Sequence, residues 1–135
     1  MAYWLFKTEP GEWSWDDQVK AGARGSEWTG VRNPVARNNM KAMKKGDRGF
    51  FYHTGDQKRI IGIVEVVKEA RPDSGDPAWL AVDVAAVAPL KTPVTLAAVK
   101  AEPKLAEMTL ARQPRLSVQP VSDAEWKLVS RMGGL

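Results

Sequence analysis

Apolar positions along the chain follow two rhythms. Short continuous or alternating runs bounded by turn residues predict strands. They lie at Ala2–Phe6 (AYWLF), Arg48–His53 (RGFFYH), Arg59–Lys68 (RIIGIVEVVK), Trp79–Val87 (WLAVDVAAV) and Arg115–Gln119 (RLSVQ). Helical spacing with capping residues predicts helices elsewhere. Ser14 caps a helix to about Lys20, with Asp16 and Asp17 in its first turn. Pro34 opens a helix to Lys44, with Ala36, Met40 and Met43 on one face and Gly46 beyond its end. Thr95 caps a short helix, Lys104–Ala111 reads as another, and the Ser122/Glu125 capping box starts a last helix to about Met132. Arg48–His53 and Arg59–Lys68 flank the polar turn TGDQK and predict a hairpin, with Gly62 marking a bulge or a close approach. Pro89 to Pro93 is expected to break the third long strand. The order predicts an α/β (α+β) fold, a mixed sheet of about five strands with helices around it. Short, curved strands with a bulge favour a partly closed barrel.

Composition narrows the class. The chain of 135 residues shows no repeat, linker or low-complexity segment, so one domain over 1–135 is expected. No apolar run approaches the roughly 20 residues of a membrane span, and the N-terminus lacks signal-peptide character. With no cysteine and one histidine, thiol catalysis, disulfides and Cys- or His-rich metal sites are excluded. A cytoplasmic monomer without cofactor or metal is expected. The net charge of +4 and pI near 9.5 suit an anionic partner without forming a polybasic tail. Six tryptophans, four of them within the first 28 residues, make the N-terminal part aromatic-dense.

Candidate chemistry centres on Glu27–Met43, EWTGVRNPVARNNMKAM. Here Trp28 is followed by a Thr29-Gly30 bend, the planar polar heads of Arg32 and Asn33, and a helix start where free N–H groups favour an anion. Read locally, Trp28 serves equally as a core tryptophan or as a stacking plate. Lys7-Thr8 at the end of the first strand and Phe51-Tyr52-His53-Thr54 at the end of another combine aromatics with polar groups in the same way. Converging strand ends would make a pocket with faces to stack a nucleobase and donors for its edge. Lys20, Arg24, Arg37 and Lys41 would surround its mouth and meet phosphates. His53 alone reads as a hydrogen-bond donor to a ligand or as the partner of a buried carbonyl.

WLFKTEP (Trp4–Pro10), EWTGVRNPVARNNM (Glu27–Met40), GDRGFFYHTG (Gly46–Gly55), IIGIVEVV (Ile60–Val67) and RLSVQPVSDAEW (Arg115–Trp126) carry a resemblance to the EVE domain family over essentially the whole chain. Pro34 stands where that family commonly has an aromatic. The resemblance implies a PUA-like fold, a mixed β-barrel of five or six strands with flanking helices, and kinship with YTH domains, which read a methylated adenine in an aromatic cage. It implies a non-catalytic reader of modified bases in DNA or RNA. Trp28 would then wall the pocket, and Lys7 and Thr8 would line it. Arg32 and Asn33 would serve the backbone or a base edge, with Phe51, Tyr52, His53 and Thr54 opposite. Strand alternation lets only some of Phe50 to Tyr52 point in. The alternative is an amidohydrolase on acylated nucleosides, as among the ASCH relatives, with Lys7, Thr8 and Glu65 as its set.

Overall fold

In a computed structural model describing all 135 residues, the first strand, β1 (Tyr3–Thr8), lies next to one edge of the sheet. β1 pairs in parallel with β3 (Arg48–His53) and antiparallel with β6 (Val118–Val121). β4 (Arg59–Pro72) pairs with β3 in the expected hairpin and with β5 (Leu80–Thr95) on its other side. β2 (Ser26–Trp28) lies on β5, giving six strands in the order β2-β5-β4-β3-β1-β6.

Five α-helices complete the chain. They are α1 (Trp15–Lys20), α2 (Pro34–Ala42), α3 (Leu96–Ala101), α4 (Thr109–Arg112) and α5 (Asp123–Met132). Ser14, Asn33, Thr95 and Ser122 cap four of them through side-chain oxygens that accept backbone N–H groups.

Several expectations are corrected. β5 runs straight through Pro89 and Pro93. β2 covers only Val82–Val84 of its outer side, so beyond that point the strand is an edge, where proline is tolerated. The helix expected over Lys104–Ala111 is divided into a 3₁₀ turn, Pro103–Leu105, and α4. Leu105, Met108 and Leu110 are all buried, and one continuous helix would turn Leu110 about 200° away from Met108. The last strand starts three residues later than the pattern suggests. The sheet is open, not a closed barrel, since nothing pairs β2 with β6. α2 packs instead against β4, β5 and β6, and Asn39 donates to the Val118 carbonyl of edge strand β6.

The sheet separates two cores. Alternation sends Trp4, Phe6 and Phe51 to one face, where they meet α1, α2 and Trp28. Leu5, Phe50 and Tyr52 face the other side, which α3, α4 and α5 cover. There Trp126 stacks on Phe50 with ring centres 4.1 Å apart and on Tyr3 at 4.3 Å. Gly62 meets both readings of its sequence signal. The register shifts between Ile60 and Gly62, and a β-carbon on Gly62 would lie 2.5 Å from the Trp15 ring.

Candidate functional site

One cavity of about 580 Å³ opens where β1 ends and β2 runs into the loop toward α2. Trp28, Trp13 and Val31 supply its apolar lining, and Lys7, Thr8, Ser26 and Ser117 part of its polar lining. Glu9, Glu12 and Glu27 complete the charged set. Gly25 makes the turn into β2. Its φ is +78°, and a β-carbon there would meet the Val84 carbonyl oxygen at 2.5 Å.

Trp28 is both core and wall, 8% exposed. Phe6 and Phe51 hold it in edge-to-face contacts with centroids at 5.3 and 5.7 Å. Trp13 is held from behind by Gln18, which is fully buried on α1. The Gln18 Nε2 donates to the Val84 carbonyl at 2.9 Å. Its Oε1 accepts from Trp13 Nε1 at 3.0 Å and from Ser26 Oγ at 3.3 Å. One buried amide therefore fixes two lining side chains and ties both to β5.

The loop from Thr29 to Arg32 is fixed by Asp73, whose side chain is fully buried. It accepts from the N–H of Gly30 at 3.0 Å and of Gly75 at 2.7 Å, and from Arg32 Nη1 at 3.3 Å. Burial alone would raise this carboxyl, but those donors and the Arg32 charge outweigh it and hold it below the usual range. Arg32 and Arg37 also lie over the Trp79 ring, at 5.9 and 5.1 Å from its centroid. Lys7 Nζ donates to the Pro114 carbonyl at 2.6 Å and sits 5.6 Å from the centre of the Tyr52 ring. Burial lowers the Lys7 amine and raises the Tyr52 phenol.

The sequence candidates distribute as follows. Lys7, Thr8 and Trp28 line the cavity. Phe51 stands behind Trp28, fully buried, and Tyr52 belongs to the opposite core. His53 is buried; its Nε2 accepts from the Trp15 N–H at 3.0 Å and its Nδ1 faces Gln57 Oε1 at 2.8 Å. Those partners require the proton on Nδ1. Thr54 donates to the Thr8 carbonyl and locks the two strand ends together. Asn33 spends its oxygen on the N–H groups of Val35 and Ala36, and lines a second, shallower hollow with Arg115. Lys20, Arg24 and Lys41 are exposed, and Arg37 is half-buried.

Glu65 is not part of this site. It pairs with Arg48, across from Tyr3, whereas Lys7 lies four residues along β1. Four strand steps and two strand spacings separate it from Lys7 by roughly 15 Å, so no Lys7-Thr8-Glu65 set is assembled.

Trp13, Glu12, Ser26 and Ser117 join the lining without being candidates in the sequence, whereas Glu9 stands with Lys7 and Thr8 at the end of the first predicted strand. Trp13 and Glu9 stand in aromatic and polar stretches already noted, but nothing local marks Ser117. The Lys7 N–H to Ser117 carbonyl bond at 2.8 Å brings it beside β1.

Fold and site together define a small α+β domain with a mixed sheet and a cavity that Trp13, Trp28 and Val31 line among mainly polar residues. The chain belongs to the EVE domain family, whose match spans residues 2–132. Mouse thymocyte nuclear protein 1 is 34% identical, over 94% of this chain and 71% of its own length. A crystallised protein of Agrobacterium tumefaciens is 54% identical with a TM-score of 0.97, covering 100% of this chain and 94% of that one. Human THYN1, crystallised in complex with DNA containing 5-methylcytosine, is 31% identical with a TM-score of 0.90, covering 100% and 99%. A YTH domain of Zygosaccharomyces rouxii, crystallised with N6-methyladenosine RNA, shares the fold, with a TM-score of 0.62 at 15% identity over 98% and 86%.

Proposed function

We propose that this PUA-like domain is a non-catalytic reader that accepts one methylated base of a nucleic acid, most directly 5-methylcytosine, between Trp28 and Trp13. The observation that carries the reading is the cavity of about 580 Å³ beside Trp28, in a chain similar end to end to a protein crystallised with 5-methylcytosine DNA. That volume lies within the roughly 300–1,000 Å³ of small-molecule sites. A base turned out of its stack finds an indole face and polar groups for its edge. Lys7 and Thr8 serve that edge. Arg32, Asn33, Lys20, Arg24, Arg37 and Lys41 meet the backbone on either side. Phe51 braces Trp28 from the core.

A 5-methyl group gains contact with the apolar wall but changes no hydrogen bond of the base. The gain for the methyl alone is about 0.8 kcal/mol, whereas stacking contributes about 1–3 kcal/mol per base. Affinity therefore resides mainly in the tryptophans, and preference for the modified base is a smaller increment.

Anisotropy titration of oligonucleotides identical except for cytosine or 5-methylcytosine at one position tests the reading. Wild type is expected to bind the methylated strand several-fold more tightly. Trp13→Ala and Trp28→Phe, both checked for folding by circular dichroism, should weaken binding by about tenfold. Equal affinity for both strands, indifferent to both substitutions, would refute the proposal.

A further inference from the structure

Thymine carries the same 5-methyl group as 5-methylcytosine. A site in DNA that recognised only the methyl would fill with thymine. The two bases differ at C4, where cytosine offers an amino donor and thymine a carbonyl acceptor. A reader of the kind proposed above therefore needs a hydrogen-bond acceptor in its cavity, and the inference that follows rests on that reading.

The charged lining supplies acceptors in unequal condition. Both Glu27 oxygens are engaged, one by Arg71 and the other by the Ser74 hydroxyl. Lys7 Nζ, the cavity's one cationic group, is directed to the Pro114 carbonyl. Glu9 and Glu12 are both exposed, and Glu12 makes no side-chain hydrogen bond that would orient it. Glu9 is different. Its Oε1 is anchored by the Gly11 N–H at 3.1 Å, while Oε2 has no hydrogen-bond partner. Oε2 lies over Gly55, where a β-carbon would sit 2.9 Å away, so the bare glycine leaves room for it. Glu9 lines the cavity and directly follows Thr8, the last residue of β1.

We infer that Glu9 is the specificity-determining acceptor, whose carboxylate takes the exocyclic amino group of the bound base and excludes bases with a carbonyl at that position. The pairing of a carboxylate with the cytosine N4 amino group is chemically complementary. Opposite a thymine O4, two acceptors would face each other with no proton to share. The same negative charge keeps phosphates out of the cavity and leaves the backbone to the rim.

Glu9→Gln makes the inference sharp. The glutamine carbonyl keeps the Gly11 bond, so its NH₂ replaces the free oxygen, turning an acceptor into a donor. Four otherwise identical oligonucleotides with cytosine, 5-methylcytosine, uracil or thymine at the read position are titrated against wild type, Glu9→Gln, Glu12→Gln and Trp28→Phe. Wild type is expected to prefer 5-methylcytosine over thymine, and cytosine over uracil, by on the order of tenfold. In Glu9→Gln both ratios should collapse or reverse, while the preference for methylated over unmethylated partners persists within each pair. Glu12→Gln should keep the wild-type ratios. An unchanged 5-methylcytosine-to-thymine ratio in Glu9→Gln, or its loss in Glu12→Gln alone, overturns the assignment of Glu9 while base reading stands. Wild-type binding that ignores base identity and Trp28→Phe alike overturns both.

Discussion

At Gly62 the sheet and α1 approach more closely than any other residue would allow. Three atoms of the Trp15 ring lie 2.5 to 2.7 Å from the place of a β-carbon, and the glycine itself is buried within β4. The Trp15 ring is wedged against Phe51 at 5.3 Å, and its backbone N–H is held by His53, so it has no easy retreat. Gly62→Ala is expected to cost about 1–3 kcal/mol of stability, read from urea unfolding followed by tryptophan emission. This contact was half visible in the sequence, because a glycine inside a β-branched run announces a bulge or a neighbour but does not name it. Phe51 and Tyr52 illustrate the same limit. Adjacent aromatics on a strand must point to opposite faces, yet only the pairing of the whole sheet decides that Phe51 braces Trp28 while Tyr52 goes to the other core.

Among the elements, α2 shows how a residue attractive for ligand contact is committed to structure. Asn33 Oδ1 accepts from Val35 N–H at 2.8 Å and Ala36 N–H at 3.0 Å, leaving its amide nitrogen as the outward donor. Asn33→Ala is expected to destabilise the domain by about 1 kcal/mol and lower the thermal midpoint by a few degrees in a melting experiment. Asn33→Asp should restore the midpoint, since either carboxylate oxygen can accept. Helices were readable because their caps are local. The side-chain oxygens of Ser14, Thr95 and Ser122 each accept the backbone N–H three residues on, as their spacing suggests. Strand ends were less readable because partners far away set them. β2 has only Ser26, Glu27 and Trp28, and exists because Val82–Val84 lies beside it. Pro89 and Pro93 remain in β5 because its outer side there is unpaired. The site followed the same division: Trp28 and Thr8 could be picked from adjacent aromatic and polar residues, whereas Ser117 enters only through the β1 neighbourhood.

Over the whole molecule, two buried aspartates tie distant segments together. Asp47 accepts from Ala2 N–H, Trp4 Nε1 and Lys44 N–H at 3.2, 3.1 and 3.0 Å. Burial alone would raise its carboxyl, but these donors and the N-terminal charge leave it lowered, as the corresponding balance leaves Asp73. A carboxyl lowered in the folded state binds its proton less readily there than in the unfolded chain. Its contribution to stability is therefore present above the ordinary carboxylate value of about 4 and is lost as pH falls below it toward the folded values. Thermal melts across the acid range should show the midpoint falling in that window. Asp73→Asn should start lower at neutral pH and lose less on acidification, because one of the two titrating ties is already gone. No helix of the domain is long and apolar enough to cross a membrane.

The position of β1 between β3 and β6 has a consequence in time. Tyr3 must wait for Arg48 on one side and Val121 on the other, so this side of the sheet closes through contacts of long sequence separation, which slow folding. Lys7, Thr8 and Glu9 lie on or just past that strand. A ribosome-bound chain still lacking Val118–Val121 has every tryptophan of the cavity already synthesised, yet the strand presenting those three residues is without one of its two neighbours.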